Sequence, residues 1–268
     1  MRATTTAHAD FYNFCGVGVD ILTFEEAFAR IDGWLNQPRD RSHHIACLNA
    51  FCVALAISNP KLRQIYNGAD MAAPDGAPFV RWMRLATGRR CDRLDGPQLI
   101  LNLARRSERS YRFFIYGGEP RVLEDAACAL EKACPRIEIV GSYSPPFREL
   151  SPDEDQQVIE MINAAKPDIV IVALGTPKQD YWIDAHLESI RGAVLIAAGA
   201  AVDFFGGRVP LAPEWIRNSG FEWLFRLLGP DFLRLWRRYL VHHAVFVGHF
   251  LLQVVGLKTI PVERRMRL

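Results

Sequence analysis

Four short stretches of the chain combine residue types that can do chemistry. Pro74-Asp75-Gly76 sets a carboxylate on a tight turn after a short apolar stretch. A carboxylate in that place carries a charge that chemistry could use, although an Asp just before a helix also serves as an N-cap. Gly117-Gly118 follows one apolar run and precedes a helical pattern. Bare N–H groups at such a junction can hold a diphosphate, or the glycines can simply satisfy the turn. Gly175-Thr176-Pro177-Lys178-Gln179-Asp180 lies at the same kind of junction and adds a Lys-Gln-Asp set at the first helical turn. A purely structural turn does not require all three. Gly199-x-x-x-Asp203-Phe204-Phe205-x-Gly207 ends a further apolar run with an acid flanked by aromatics, and capping is again the rival reading.

Other candidates argue for less. Gly16-x-Gly18 lacks the third glycine of the dinucleotide fingerprint and lies within a strand pattern, which speaks against NAD. Asp153-x-Asp155 resembles a metal-binding pair, but it follows Ser151-Pro152 at a helix start, where acids complement the helix dipole. The seven histidines form neither HExxH nor a His-Cys set, and the six cysteines form no CxxC pair. Neither a metal nor a cofactor is expected, and the cysteines read as reduced and mostly buried.

The elements that must position these residues alternate. Residues 16–22 read as a strand, and Thr23-x-x-Glu26 as a capping box opening a helix to about Gln37. HHIACLN reads as a strand ending at Asn49, followed by a helical stretch through Tyr66, and after MAAPDG the pattern is helical again to Ala86. A loop from Cys91 to Gly96 leads into the helix QLILNLARRSER. Strands RFFIYGG, RIEIVGSY, DIVIVALG and AVLIAAGA then alternate with helices of about 14 residues. This predicts an α/β fold with a Rossmann-like parallel sheet, whose ligands lie beyond the carboxyl ends of the strands.

The tail differs in character. From Arg208 to Leu268 there are ten Lys or Arg against four acids, so a net +6 sits on a chain of net charge +2. Residues 1–209 therefore read as an α/β core and residues 210–268 as a basic, aromatic helical appendage. Its aliphatic runs suit a lipid surface better than a nucleic acid. Tyr239 to Leu257 approaches the length of a membrane span, but His242, His243, His249 and Gln253 favour an interfacial or packed helix. The polar start MRATTTAHAD lacks the parts of a secretory signal, which predicts a cytoplasmic protein.

Taken in order, Pro74-Asp75-Gly76, Gly175-x-Pro177-Lys178-Gln179-Asp180-x-Trp182, Gly199-x-x-x-Asp203-Phe204-x-x-Gly207, and Ala212-Pro213-x-Trp215 leading to Glu222-Trp223-x-x-Arg226 resemble the WecG/TagA/CpsF family of bacterial glycosyltransferases, family 26. The likeness extends to members that assemble xanthan-type exopolysaccharide. It implies an inverting, metal-independent transferase using a UDP-sugar donor and an undecaprenyl-diphosphate-linked sugar acceptor. It also implies a peripheral position on the inner face of the cell membrane, and it is compatible with an oligomer. By match to the family, Asp75 would be the catalytic base, and Asn49 and Gln179 would line the substrate pocket. Arg93, Gly117, Gly118, Gly175, Pro177, Lys178 and Asp203 complete the expected binding set. The tail arginines Arg226, Arg234, Arg237 and Arg238 would meet the diphosphate or the lipid surface. The chain departs from the family pattern at Cys47, Gln98 and Leu211. Two rival classes are a nucleotide-binding oxidoreductase, which predicts tight NAD binding, and a non-catalytic membrane adaptor, which predicts that Asp75 is dispensable.

Overall fold

The computed structural model describes residues 10–106, 110–210, 212–219, 222–227 and 236–264. In chain order, strands β1 (Phe11–Phe14) and β2 (Val17–Asp20) precede helix α1 (Phe24–Leu35) and strand β3 (His43–Leu48). Helices α2 (Ala50–Ser58) and α3 (Pro60–Asn67) lead to β4 (Met71–Pro74), α4 (Ala77–Thr87) and α5 (Gly96–Arg106). Next come β5 (Tyr111–Tyr116), α6 (Pro120–Ala133), β6 (Ile137–Tyr143) and α7 (Pro152–Ala165). Strand β7 (Ile169–Val172), α8 (Lys178–His186), β8 (Val194–Ala197) and the short α9 (Ala201–Phe205) follow. The tail contains α10 (Glu214–Ser219), α11 (Glu222–Leu227), a π-helical turn (Arg237–His242) and α12 (His243–Val254).

The chain clusters into two units. One comprises Phe24–Cys47 and Asp95–Leu211, and it holds five parallel strands in the order β3-β8-β7-β5-β6. β3, β7 and β8 are buried along their whole length, as continuous apolar runs predict for a sheet covered on both faces. Phe114, Val158, Ile162, Val170, Ile183 and Leu195 belong to one core cluster that joins α7 and α8 to this sheet. Helix α7 begins where its acidic start placed it, and it opens with a reciprocal capping box between Ser151 and Glu154 that the sequence reading did not name.

The other unit comprises Met1–Thr23, Leu48–Leu94 and Ala212–Leu268. β1 and β2 form an antiparallel hairpin in which Phe11 faces Asp20 and Phe14 faces Val17. Its two-residue turn places both Cys15 and Gly16 at positive φ, 52° and 90°, the combination that matches the strand twist. The strand read over 16–22 is thus shorter, and its hairpin partner went unread. The single helical stretch read through Tyr66 is two helices, because Asn59 ends α2, caps α3 with its side chain and precedes Pro60. In the tail, Phe246 and Phe250 pack inward. Phe250 lies 5.4 Å from Phe14 and 5.0 Å from Trp82, and Phe246 lies 5.3 Å from Phe79. Aromatic pairs of this kind contribute about 0.5–1.5 kcal/mol each beyond burial of area. Val247, Leu251, Leu252 and Val254 on the same helix are exposed. Among the described residues no helix is long and apolar enough to cross a membrane.

Candidate active site

Asp75 sits at the carboxyl end of the buried strand β4, and its N–H donates to Leu48 O at 2.8 Å. The helix that follows is not capped by it: the N-cap of α4 is Gly76, with no side-chain hydrogen bond. The capping role that rivalled a functional one in the sequence is therefore absent, and the carboxylate points elsewhere. Asn49 Nδ2 donates to Asp75 Oδ2 at 3.0 Å, and Arg93 Nη2 lies 3.9 Å from Oδ1. The side chains of Asp75 and Arg93 are 24% and 20% exposed, partly desolvated yet reachable.

Asn49 is itself fixed by local structure. It is the N-cap of α2, and its Oδ1 accepts from Phe51 N at 3.1 Å and Cys52 N at 3.3 Å. Two backbone donors on the oxygen settle which way the amide faces, so its NH2 group must point to the carboxylate. A carboxylate held through one oxygen, with a guanidinium near the other, is oriented to accept a proton from a hydroxyl.

The remaining predicted residues of the α/β core gather in the unit that holds the five-stranded sheet, at the carboxyl ends of β5, β7 and β8. Gly117 has φ 107°, and an added Cβ would lie 2.7 Å from the backbone of Ala173. Packing alone therefore demands that glycine, whatever ligand is held there. Ser144 Oγ, which no motif flagged, donates to Gly118 O at 2.6 Å and steadies the same turn. At Gly175 and at Gly199, by contrast, an added Cβ would meet nothing within 4 Å, so bare backbone faces open space in both loops.

Gln179 ties these two loops together. It is 2% exposed; its Oε1 accepts from Gly199 N at 3.0 Å, and its Nε2 donates to Thr176 Oγ1 at 3.4 Å. Thr176-Pro177 is a cis peptide, and Lys178 is exposed at the start of α8. Asp203 lies in α9 and accepts from Arg208 Nη1 at 3.3 Å, and Arg208 also pairs with Glu119 at 3.1 Å. Sequence reasoning saw Arg208 only as part of a basic tail.

Of the two acids that resembled a metal pair, Asp155 is engaged, and so is Glu154 between them. Asp155 Oδ2 lies 2.7 Å from His186 Nε2, and Glu154 accepts from both Ser151 N and Arg148. The bidentate contact with Arg148 holds the Glu154 carboxyl at about 2, below the usual range. Gly16 and Gly18 serve close packing, since Asn67 bonds Gly16 O and Gly18 N, and Ile260 occupies the space beside Gly16. Of the tail arginines, Arg226 lies on α11, and Arg237 and Arg238 lie in the π-helical turn. Arg234 lies outside the described residues.

The sequence has relatives of known name. Residues 12–259 match the Glycosyl transferase WecG/TagA/CpsF family. The chain is 31% identical, over 69% of its length and 70% of the relative's, to an N-acetylglucosaminyldiphosphoundecaprenol N-acetyl-beta-D-mannosaminyltransferase of Bacillus spizizenii. A protein of the same name from Bacillus subtilis is 29% identical over 72% of each chain.

Proposed function

The chain belongs to the WecG/TagA/CpsF family of glycosyl transferases, and we propose that it moves a hexose or N-acetylhexosamine-type sugar from a UDP-sugar onto an undecaprenyl-diphosphate-linked sugar during synthesis of a cell-surface polysaccharide. The relatives' names specify transfer of N-acetylmannosamine to a lipid-diphosphate N-acetylglucosamine, which fixes the class of donor and acceptor to test first. The observation that carries the reading is the Asp75 carboxylate, left unused by the helix after it and turned by Asn49.

In this mechanism the acceptor hydroxyl gives its proton to Asp75 as its oxygen attacks the anomeric carbon of the donor. The bond from that carbon to the diphosphate oxygen breaks, and UDP leaves from the opposite face, inverting the configuration. General-base help of this kind contributes about 10²- to 10⁴-fold. The departing diphosphate is met by the tail arginines Arg226, Arg234, Arg237 and Arg238, and the loops at Gly118 and Gly175 are the proposed nucleotide contacts of the unit that holds the five-stranded sheet. The exposed Val247, Leu251, Leu252 and Val254 of α12 support a peripheral seat at the inner membrane face, where the lipid-linked acceptor lies.

A panel of UDP-glucose, UDP-GlcNAc, UDP-ManNAc and UDP-ManNAc-uronate, offered with short-chain lipid-diphosphate sugars and read by mass spectrometry, tests the reading. It predicts a product heavier by one sugar with release of UDP. A full panel without transfer, on protein that binds UDP, contradicts it.

A further inference from the structure

The segment beyond α12 returns to the β1–β2 hairpin. Gln253 donates to Asn13 O at 2.7 Å and accepts from Cys15 N at 2.8 Å, and Ile260 O accepts from Asn13 Nδ2 at 2.9 Å. Near its end, Arg264 Nη2 lies 2.6 Å from Asp20 Oδ1 and donates to Gly18 O at 3.1 Å. Its guanidinium stands 4.5 Å above the Phe11 ring. Asp20 is a carboxylate only 2% exposed at the end of β2. Its other oxygen, Oδ2, accepts the N–H of Ala72 at 2.9 Å. Ala72 belongs to β4, three residues before Asp75.

One buried carboxylate therefore joins the carboxyl-terminal segment to the strand that presents Asp75. We propose that Arg264 and Asp20 form a clasp through which this segment positions Asp75. The positioning half rests on the reading of Asp75 as the base; the clasp itself does not. Arg264 lies beyond residues 12–259 matched by the family, so the clasp adds to what the family match covers.

The physical case rests on strength and reach. Charge-assisted hydrogen bonds are shorter and about twice as strong as neutral ones, and a carboxylate this buried holds its partners in a setting of weak screening. Strand β4 is four residues long, so a displacement at Ala72 is passed on to Asp75. A misplacement of about 1 Å at a reacting group can cost on the order of 10²-fold in rate. Arg264 touches no reacting atom in this scheme and is a positioning residue.

The test uses the full chain carrying Arg264→Gln, Arg264→Lys, or Asp20→Asn together with Arg264→Gln. It measures amide exchange at Met71, Ala72 and Ala73 alongside kcat and the donor KM. Arg264→Gln is expected to speed exchange in β4 and to lower kcat about tenfold or more, with the donor KM unchanged. Arg264→Lys keeps the charge without the fork and is expected to fall between the two in both readouts. It carries the same test if the Gln variant does not accumulate folded. The double variant removes the buried charge with its partner and is expected to exchange more slowly than Arg264→Gln alone. Unchanged β4 exchange in both single variants overturns the clasp. Faster exchange with unchanged kcat overturns the positioning role. If Asp75→Asn retains turnover, the base assignment fails by itself, and β4 exchange still decides the clasp.

Discussion

The side-chain amide of Asn49 faces two ways at once: its oxygen caps α2 through Phe51 N and Cys52 N, and its nitrogen donates to Asp75 Oδ2 at 3.0 Å. A helix start thereby fixes the orientation of a carboxylate on a different element.

The two duties can be separated by substitution. Asn49→Ala loses both and is expected to cost about 1 kcal/mol of stability, about 2–4 °C in Tm for a chain of this size, together with a clear fall in turnover. Asn49→Asp keeps a capping oxygen but turns a second carboxylate toward Asp75. It should hold its Tm near that of the parent while losing transfer. Thermal unfolding and steady-state turnover measured together decide this, and an Asp variant with full turnover would remove Asn49 from the orienting role.

Gln179 offers a similar separation in the unit that holds the five-stranded sheet. Gln179→Ala leaves the Gly199 N–H without its acceptor, a cost of about 1–3 kcal/mol for a buried group. Gln179→Glu keeps an acceptor oxygen for Gly199 but sets a negative charge where the diphosphate is proposed to lie. Calorimetric titration with UDP should show the weaker binding in the Glu variant, by about tenfold or more. Equal affinities in the two variants would move the nucleotide away from this turn.

Transfer is expected to survive EDTA. Glu154 and Asp155 are committed to Arg148, Ser151 and His186, and among the described residues no three His, Cys, Asp or Glu group as a metal site. Activity lost on chelation and restored specifically by Mn²⁺ or Mg²⁺ would contradict this.

The outward face of α12 gives a test of membrane attachment that spares the fold. Val247→Glu with Leu251→Glu changes two exposed positions and leaves the inward Phe246 and Phe250 in place. Flotation with vesicles of mixed anionic and neutral phospholipid should drop, while Tm stays within about 2 °C. Undiminished flotation would place the lipid contact elsewhere.

Much of the fold was legible because parallel strands buried on both faces leave continuous apolar runs, as in residues 113–116, 169–172 and 194–197. The hairpin was missed because Cys15-Gly16 is not one of the usual turn pairs, although Gly16 supplies part of the needed geometry. β4 was passed over as a bare apolar stretch, since four residues ending in proline carry little periodic signal. Asp75 stood out by motif, yet only the structure removes its capping rival, because the choice between Asp75 and Gly76 as N-cap depends on backbone angles. Arg264 and Asp20 are 244 positions apart in the chain, and no local pattern announces such a pair.

Turnover of Asp75→Asn tests the account most directly. The substitution keeps side-chain volume and a hydrogen-bonding group beside Asn49 while removing the proton acceptor. Sugar transfer to a soluble lipid-diphosphate analogue should fall by about 10²-fold or more, with UDP affinity and Tm close to those of the parent. Transfer at the parental rate in that variant, with the same donor and acceptor, would contradict the assignment of Asp75 as the base.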